Sequence, residues 1–136
     1  MYKAIMVPID LSQAEKGKVT IKVAKKLGEE GTQIILINVV ENIPTYVAEE
    51  ILGDMIEKSK EKVHSVLETM AKAAGVKTDV EVRYGKPATA ILAAAEGKGA
   101  DLIIIASHQP ELQDYLLGST ASRVVRHATC SVLVVR

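Results

Sequence analysis

Ala4-Ile5-Met6-Val7-Pro8-Ile9-Asp10 is an apolar run that ends on a carboxylate, and the rest of the chain is read outward from it. A short stretch of this kind, without polar alternation, reads as a strand buried on both faces. Gln33 to Val40 and Leu102 to Ala106 are similar runs rich in Ile and Val, and Val132 to Val135 is another near the end of the sequence. Asp79 to Tyr84 differs, because Val80, Val82 and Tyr84 alternate with polar residues as in an edge strand covered on one face. Five strands are therefore predicted.

Helical spacing fills the intervals. Val19, Val23, Ala24 and Leu27 recur at helical intervals and predict a first helix over about Gln13 to Leu27, stopped by Gly28 and Gly31. From about Ala48 to Ala74, Ile56, Val63, Val66, Leu67 and Met70 keep an apolar stripe through a Lys- and Glu-rich segment that Gly75 ends. Asn42 to Gly53 is the least regular segment and is expected to form a flap. Pro87 suits the first turn of a third helix through Ile91, Leu92 and Ala95, closed by Gly97 and Gly99. Ala121, Val124, Val125 and Ala128 predict a fourth helix from near Ser119. Strands alternating with helices imply right-handed parallel crossovers. The expected fold is α/β: one domain over residues 1–136, with a doubly wound five-stranded parallel sheet and helices on both faces. Ligands of such sheets sit beyond the carboxyl ends of strands where the strand order reverses. The places to search are thus after Ile9, after Val39 and after Ile105.

Seventeen basic residues balance seventeen acidic ones, so no overall positive field gathers nucleic acid or anionic lipid. The single cysteine, Cys130, cannot form an internal disulfide, and beside Val132 to Val135 it reads as a packing thiol at a buried strand start. Met1 opens no charged leader with an apolar stretch behind it, and no apolar run approaches the roughly 20 residues that span a bilayer. The cytoplasm is the expected location.

Ala106-Ser107-His108-Gln109-Pro110, followed by Tyr115-Leu116-Leu117-Gly118-Ser119-Thr120, carries the most chemistry. A glycine followed by Ser and Thr at a helix start supplies close backbone approach, amide and hydroxyl donors and the positive end of a dipole, which suit phosphate. The plainer reading makes Gly118 a turn and Ser119 a helix N-cap. Asp10, at the end of the first strand, can accept hydrogen bonds from ribose hydroxyls or hold magnesium through water, or serve as a turn or N-cap residue, a role open to Ser12 as well. Val39 and Val40 can wall a base. Ser107 and His108 do not make a hydrolase pair: the G-x-S-x-G elbow is missing, and adjacent side chains point apart. His64 belongs on the solvated face of the long helix, and His127 with Arg126 at a helix C-terminus. No zinc-type ligand spacing is present. A phosphorelay receiver would need an acidic cluster after the first strand and an aspartate after the third, where Gly85 follows Tyr84.

Ile5-Met6-Val7-Pro8-Ile9-Asp10, Gly85-Lys86-Pro87, Ala100 to Ile105 and Gly118-Ser119 through Val135 together resemble the universal stress protein family over essentially the whole chain. The resemblance implies strand order 3-2-1-4-5, a homodimer, and ATP with its adenine near the ends of the first two strands. Carried over by position, Pro8, Ile9 and Asp10 would contact the nucleoside, with Asp10 on ribose, and Val39 would meet the adenine. Ala106, Ser107, His108 and Gln109 would surround the phosphates together with Gly118, Ser119 and Thr120. The family's ATP-binding pattern is G-x-x-G, nine residues, then G-[ST]. Here Ala106 and Gln109 occupy the glycine positions, and Gln109 precedes a proline, which biases it to extended backbone. Ser107-His108-Gln109-Pro110 with Tyr115 to Ser119 resembles the F and G branch, in which such a loop accompanies ATP binding.

The apolar strand Ser131 to Arg136 at a sheet edge invites pairing with a second copy, the isologous homodimer the resemblance also implies. The expected function is a homodimeric stress-response regulator that binds ATP, with Mg2+, whose nucleotide state alters contacts with regulatory protein partners and which hydrolyses ATP slowly at most. No Lys or Arg lies between Ala106 and Thr120, which weighs against phosphoryl transfer. The alternatives are a dimeric scaffold of the same fold that needs no nucleotide and, ranked last, a true ATPase.

Overall fold

The computed structural model describes residues 1–41, 49–107 and 118–136 of the chain. Five parallel strands form one sheet: β1 (Ala4–Pro8), β2 (Gln33–Val40), β3 (Asp79–Tyr84), β4 (Leu102–Ala106) and β5 (Ser131–Val135), in the order β3-β2-β1-β4-β5. The helices between them are α1 (Ala14–Leu27), α2 (Glu49–Ala73), α3 (Pro87–Gly97) and α4 (Ser119–His127), with a single 3-10 turn, Leu11–Gln13, ahead of α1. α2 begins at Glu49, as the expected helix from about Ala48 has it, so Glu49 to Gly53, which the expected flap also included, are helical; Asn42 to Ala48, the rest of that flap, lie outside the described residues.

The period of two in a strand sends alternate side chains to opposite faces, and here each face meets its own helices. Ile5, Val7, Leu36 and Ile104 pack with Ile21 and Ala24 of α1 and with Leu67 and Met70 of α2. Met6, Ile35, Ile103 and Ile105 pack with Ile91, Ala94 and Ala95 of α3 and with Ala121 and Val124 of α4. Four residues expected in apolar stripes are exposed: Val19 and Leu27 of α1, Val66 of α2 and Val125 of α4. Helical spacing locates a stripe's centre, and its flanks are decided by how far each helix leans on the sheet.

At the opposite end from the strand carboxyl termini, Asp101 clamps the starts of β1 and β4. Its carboxylate accepts from the backbone N–H of Lys3 at 2.9 Å and of Ala4 at 3.1 Å. The Lys3 N–H holds the Asp101 carboxyl below the usual carboxylate range, against a smaller opposing effect of desolvation.

The two sheet edges differ. Edge strand β3 carries charge on its α3 side, where Arg83 Nε meets Glu81 Oε1 at 2.7 Å. Edge strand β5 is apolar from Val132 to Val135, and Leu133 stays 37% exposed. Cys130 is half-buried just before β5, and burial pushes its thiol pKa up, as suits a packing thiol. No described helix is long and apolar enough to cross a membrane.

Candidate functional site

Strand order reverses at β1, whose neighbours β2 and β4 lead to helices on opposite faces, and a cleft of ≈ 180 Å³ opens above their carboxyl ends. Its floor is the last backbone turn of each strand. Ile9, past the end of β1, is tied to β2 twice: its N–H donates to Ile37 O at 2.8 Å, and its carbonyl accepts from Asn38 Nδ2 at 2.8 Å. Ser107, past the end of β4, donates its N–H to Val135 O at 2.9 Å. The exit of β1 is thereby tied to β2, and that of β4 to β5.

Asp10 follows the doubly anchored Ile9. Its Oδ1 accepts from the backbone N–H of Ser12 at 2.9 Å and from Ser12 Oγ at 2.6 Å, so the carboxylate caps the 3-10 turn. Capping and ligand contact were rival roles for Asp10 on sequence grounds; the structure gives it the cap and also places it in the cleft wall. Ser12, the other candidate cap, is the donor in this arrangement.

Among the residues singled out from sequence, Pro8, Ile9, Asp10, Val39, Ala106, Ser107 and Thr120 line one cleft. Gly118 and Ser119 stand at the start of α4 without lining it; Thr120 and Ala121 of the same helix do. His108 and Gln109 lie outside the described residues. The N-cap of α4 is Gly118, at φ 87° and ψ 156°, so Ser119 is the first helical residue and not the cap. Among the described residues no side chain caps the start of this helix, where the first-turn N–H groups have no acceptor within the helix.

Residues that sequence reasoning passed over complete the walls. Lys16 in the first turn of α1 lines the cleft, and its Nζ donates to Ser107 O at 2.6 Å. Gly17 beside it lets α1 come close: a Cβ there would meet Ile9 Cγ2 and Met70 Cε at 3.1 Å. Gln13, Asn38 and Glu41 also contribute. Asn38 had a legible signal, a polar side chain inside the apolar β2 run. Lys16 had none, being one of several lysines on a solvated helix.

The sequence model of the universal stress protein family matches residues 1–136. Universal stress protein MJ0531 of Methanocaldococcus jannaschii is 33% identical, with 100% of this chain and 83% of that protein aligned. Universal stress protein G of Shigella flexneri is 31% identical over the full length of both. Among solved structures, the protein designated hypothetical protein MJ0577 superposes with a TM-score of 0.81 at 30% identity, covering 99% of this chain and 96% of that one. Two further structures share the fold at lower identity: a universal stress protein in complex with cAMP, at 21% identity and TM-score 0.66, and one from Archaeoglobus fulgidus in complex with dAMP, at 17% and 0.70.

Proposed function

The chain belongs to the universal stress protein family, and from that premise we propose that the cleft binds an adenine nucleotide, ATP with Mg2+, so that nucleotide occupancy alters contacts with regulatory partners. The observation that carries the reading is the convergence of Val39, Asp10 and Thr120 on one cleft at the switch point of the sheet. Val39 supplies an apolar surface for the base. The Asp10 carboxylate, oriented by Ser12, accepts from ribose hydroxyls. The start of α4, with the Thr120 hydroxyl in the cleft wall and Gly118 and Ser119 just beyond it, offers the phosphates N–H donors and a positive dipole end. Asp10, between the base and phosphate positions in strand order, is the carboxylate through which a water of a magnesium ion would be held. Proteins of this fold accommodate such ligands, as the complexes with cAMP and dAMP show for those two proteins. Hydrolysis is slow at most on this reading, because the groups named bind and orient and none is placed as a base.

The test is a calorimetric titration of the purified protein with ATP and Mg2+, after acid extraction to identify any nucleotide carried through purification. Saturable binding is expected for the wild type. Asp10→Asn keeps an N-cap of equal quality and removes the charge, and should bind about tenfold or more weakly, the range for hydrogen bonds to charged groups. A wild type that carries no nucleotide and shows no saturable binding would sink the proposal in favour of the nucleotide-independent scaffold.

We further propose a homodimer through β5, residues Ser131 to Arg136. The contrast between the sheet edges supports it, since charge protects β3 while β5 presents Leu133 to water. Leu133→Lys is expected to shift the sedimentation coefficient from dimer to monomer, and an unaltered dimer rejects this interface. Val134 is unsuitable for the same test, because it packs on the α3 and α4 core and a lysine there would perturb folding.

A further inference from the structure

Lys16 is the one cationic side chain among the described residues that line the cleft, where the carboxylates of Asp10 and Glu41 face the same space. Two negative groups outnumber one positive, so the charged attraction that the described walls offer to a phosphate comes from this ammonium, beside the neutral donors of Thr120 and the backbone. Two other lysines of α1 are engaged away from the cleft: Lys18 pairs with Glu15 at 2.8 Å, and Lys25 donates to Ala74 O at 3.2 Å. Lys16 instead crosses from the first turn of α1 to the carbonyl of Ser107, just past β4.

We propose that Lys16 is a specificity-determining residue that recognises the phosphate joined directly to the ribose, and so selects nucleotides over nucleosides. The inference rests on the nucleotide reading of the same cleft. Its basis is the order of strands: Val39 belongs to β2, Asp10 follows β1 and Ser107 follows β4, and these strands lie side by side as β2-β1-β4. A ligand with its base against Val39 and its ribose at Asp10 therefore brings its first phosphate to the Ser107 position, where the Lys16 ammonium already stands. An ammonium has three donors, so it reaches a phosphate oxygen without giving up the carbonyl. Ser107 O serves as the strut that keeps the long, flexible side chain over the cleft.

The experiment titrates wild type, Lys16→Met and Lys16→Arg with adenosine and with AMP, alongside thermal unfolding of each protein. Lys16→Met preserves the stem and removes the charge. It is expected to weaken AMP roughly ten- to hundred-fold, the range for hydrogen bonds to charged groups, and to leave adenosine within about twofold. Lys16→Arg should retain most of the AMP affinity, and added salt should weaken AMP binding less in Lys16→Met than in the wild type. Equal loss of adenosine and AMP, with a lowered unfolding temperature, would reduce Lys16 to a structural strut and overturn the proposal. Unchanged AMP affinity would overturn it too, leaving the nucleotide reading intact. A wild type that binds neither ligand overturns that reading and this proposal together.

Discussion

Asn38→Leu is expected to lower the unfolding free energy by about 1–3 kcal/mol, the usual penalty for a buried polar group left without its partner. Asn38 is only 8% exposed, and its amide is the donor to the carbonyl of Ile9, itself 3% exposed. Leucine matches the branching at Cγ, is somewhat bulkier and gains some apolar burial, but it leaves that carbonyl unsatisfied beneath the cleft. A chemical denaturation midpoint that falls at constant m-value is the signature sought. The same exchange should weaken nucleotide binding beyond the stability loss, because Ile9 positions Asp10 and only its N–H would remain anchored, on Ile37. A midpoint equal to that of the wild type would show that water replaces the amide and that Asn38 does not hold the loop.

Gly118→Val is expected to act at both levels as well. At φ 87° and ψ 156° the residue occupies a region that is essentially reserved for glycine, and a side chain there costs about 1–3 kcal/mol. The chain has two ways to respond. It retains the geometry and loses stability, or it relaxes the turn and swings the start of α4 away from the cleft that Thr120 and Ala121 line. Either response lowers the unfolding temperature or the affinity for ATP, whereas adenosine, which does not reach α4 on the proposed mode, should be little affected. Gly118→Ala, with a single Cβ and no branching, should show a smaller effect in the same direction. Equal ATP affinity and equal unfolding temperature in both variants would mean that the turn adapts without consequence.

Much of the fold was legible because its periodicities are local. Ile34 to Ile37 and Leu102 to Ile105 are apolar on both faces, and both faces are covered. Pro87 at the first turn of α3 and Gly118 before α4 mark helix starts through backbone constraints that act within a few residues. The flanks of the helical stripes were less legible. Val66 and Val125 satisfy the spacing and yet are exposed, since spacing carries no information on how wide a face the sheet will accept. At the start of α2 the sequence supported two overlapping readings, a helix from about Ala48 and an irregular segment through Gly53, and the structure gives Glu49 to Gly53 to the helix.

Sequence by itself determined the alternation of strands and helices, the turn glycines and the carboxylate at Asp10, all properties of residues near one another along the chain. Tertiary structure alone decided which wall each residue belongs to. Lys16 and Ser107 are 91 positions apart and meet only because β1 and β4 are neighbours in the sheet. Asn38 reaches Ile9 only through the pairing of β1 with β2. A binding site at a strand crossover is assembled from distant segments, and its charge balance is set by strand order, which no local pattern encodes.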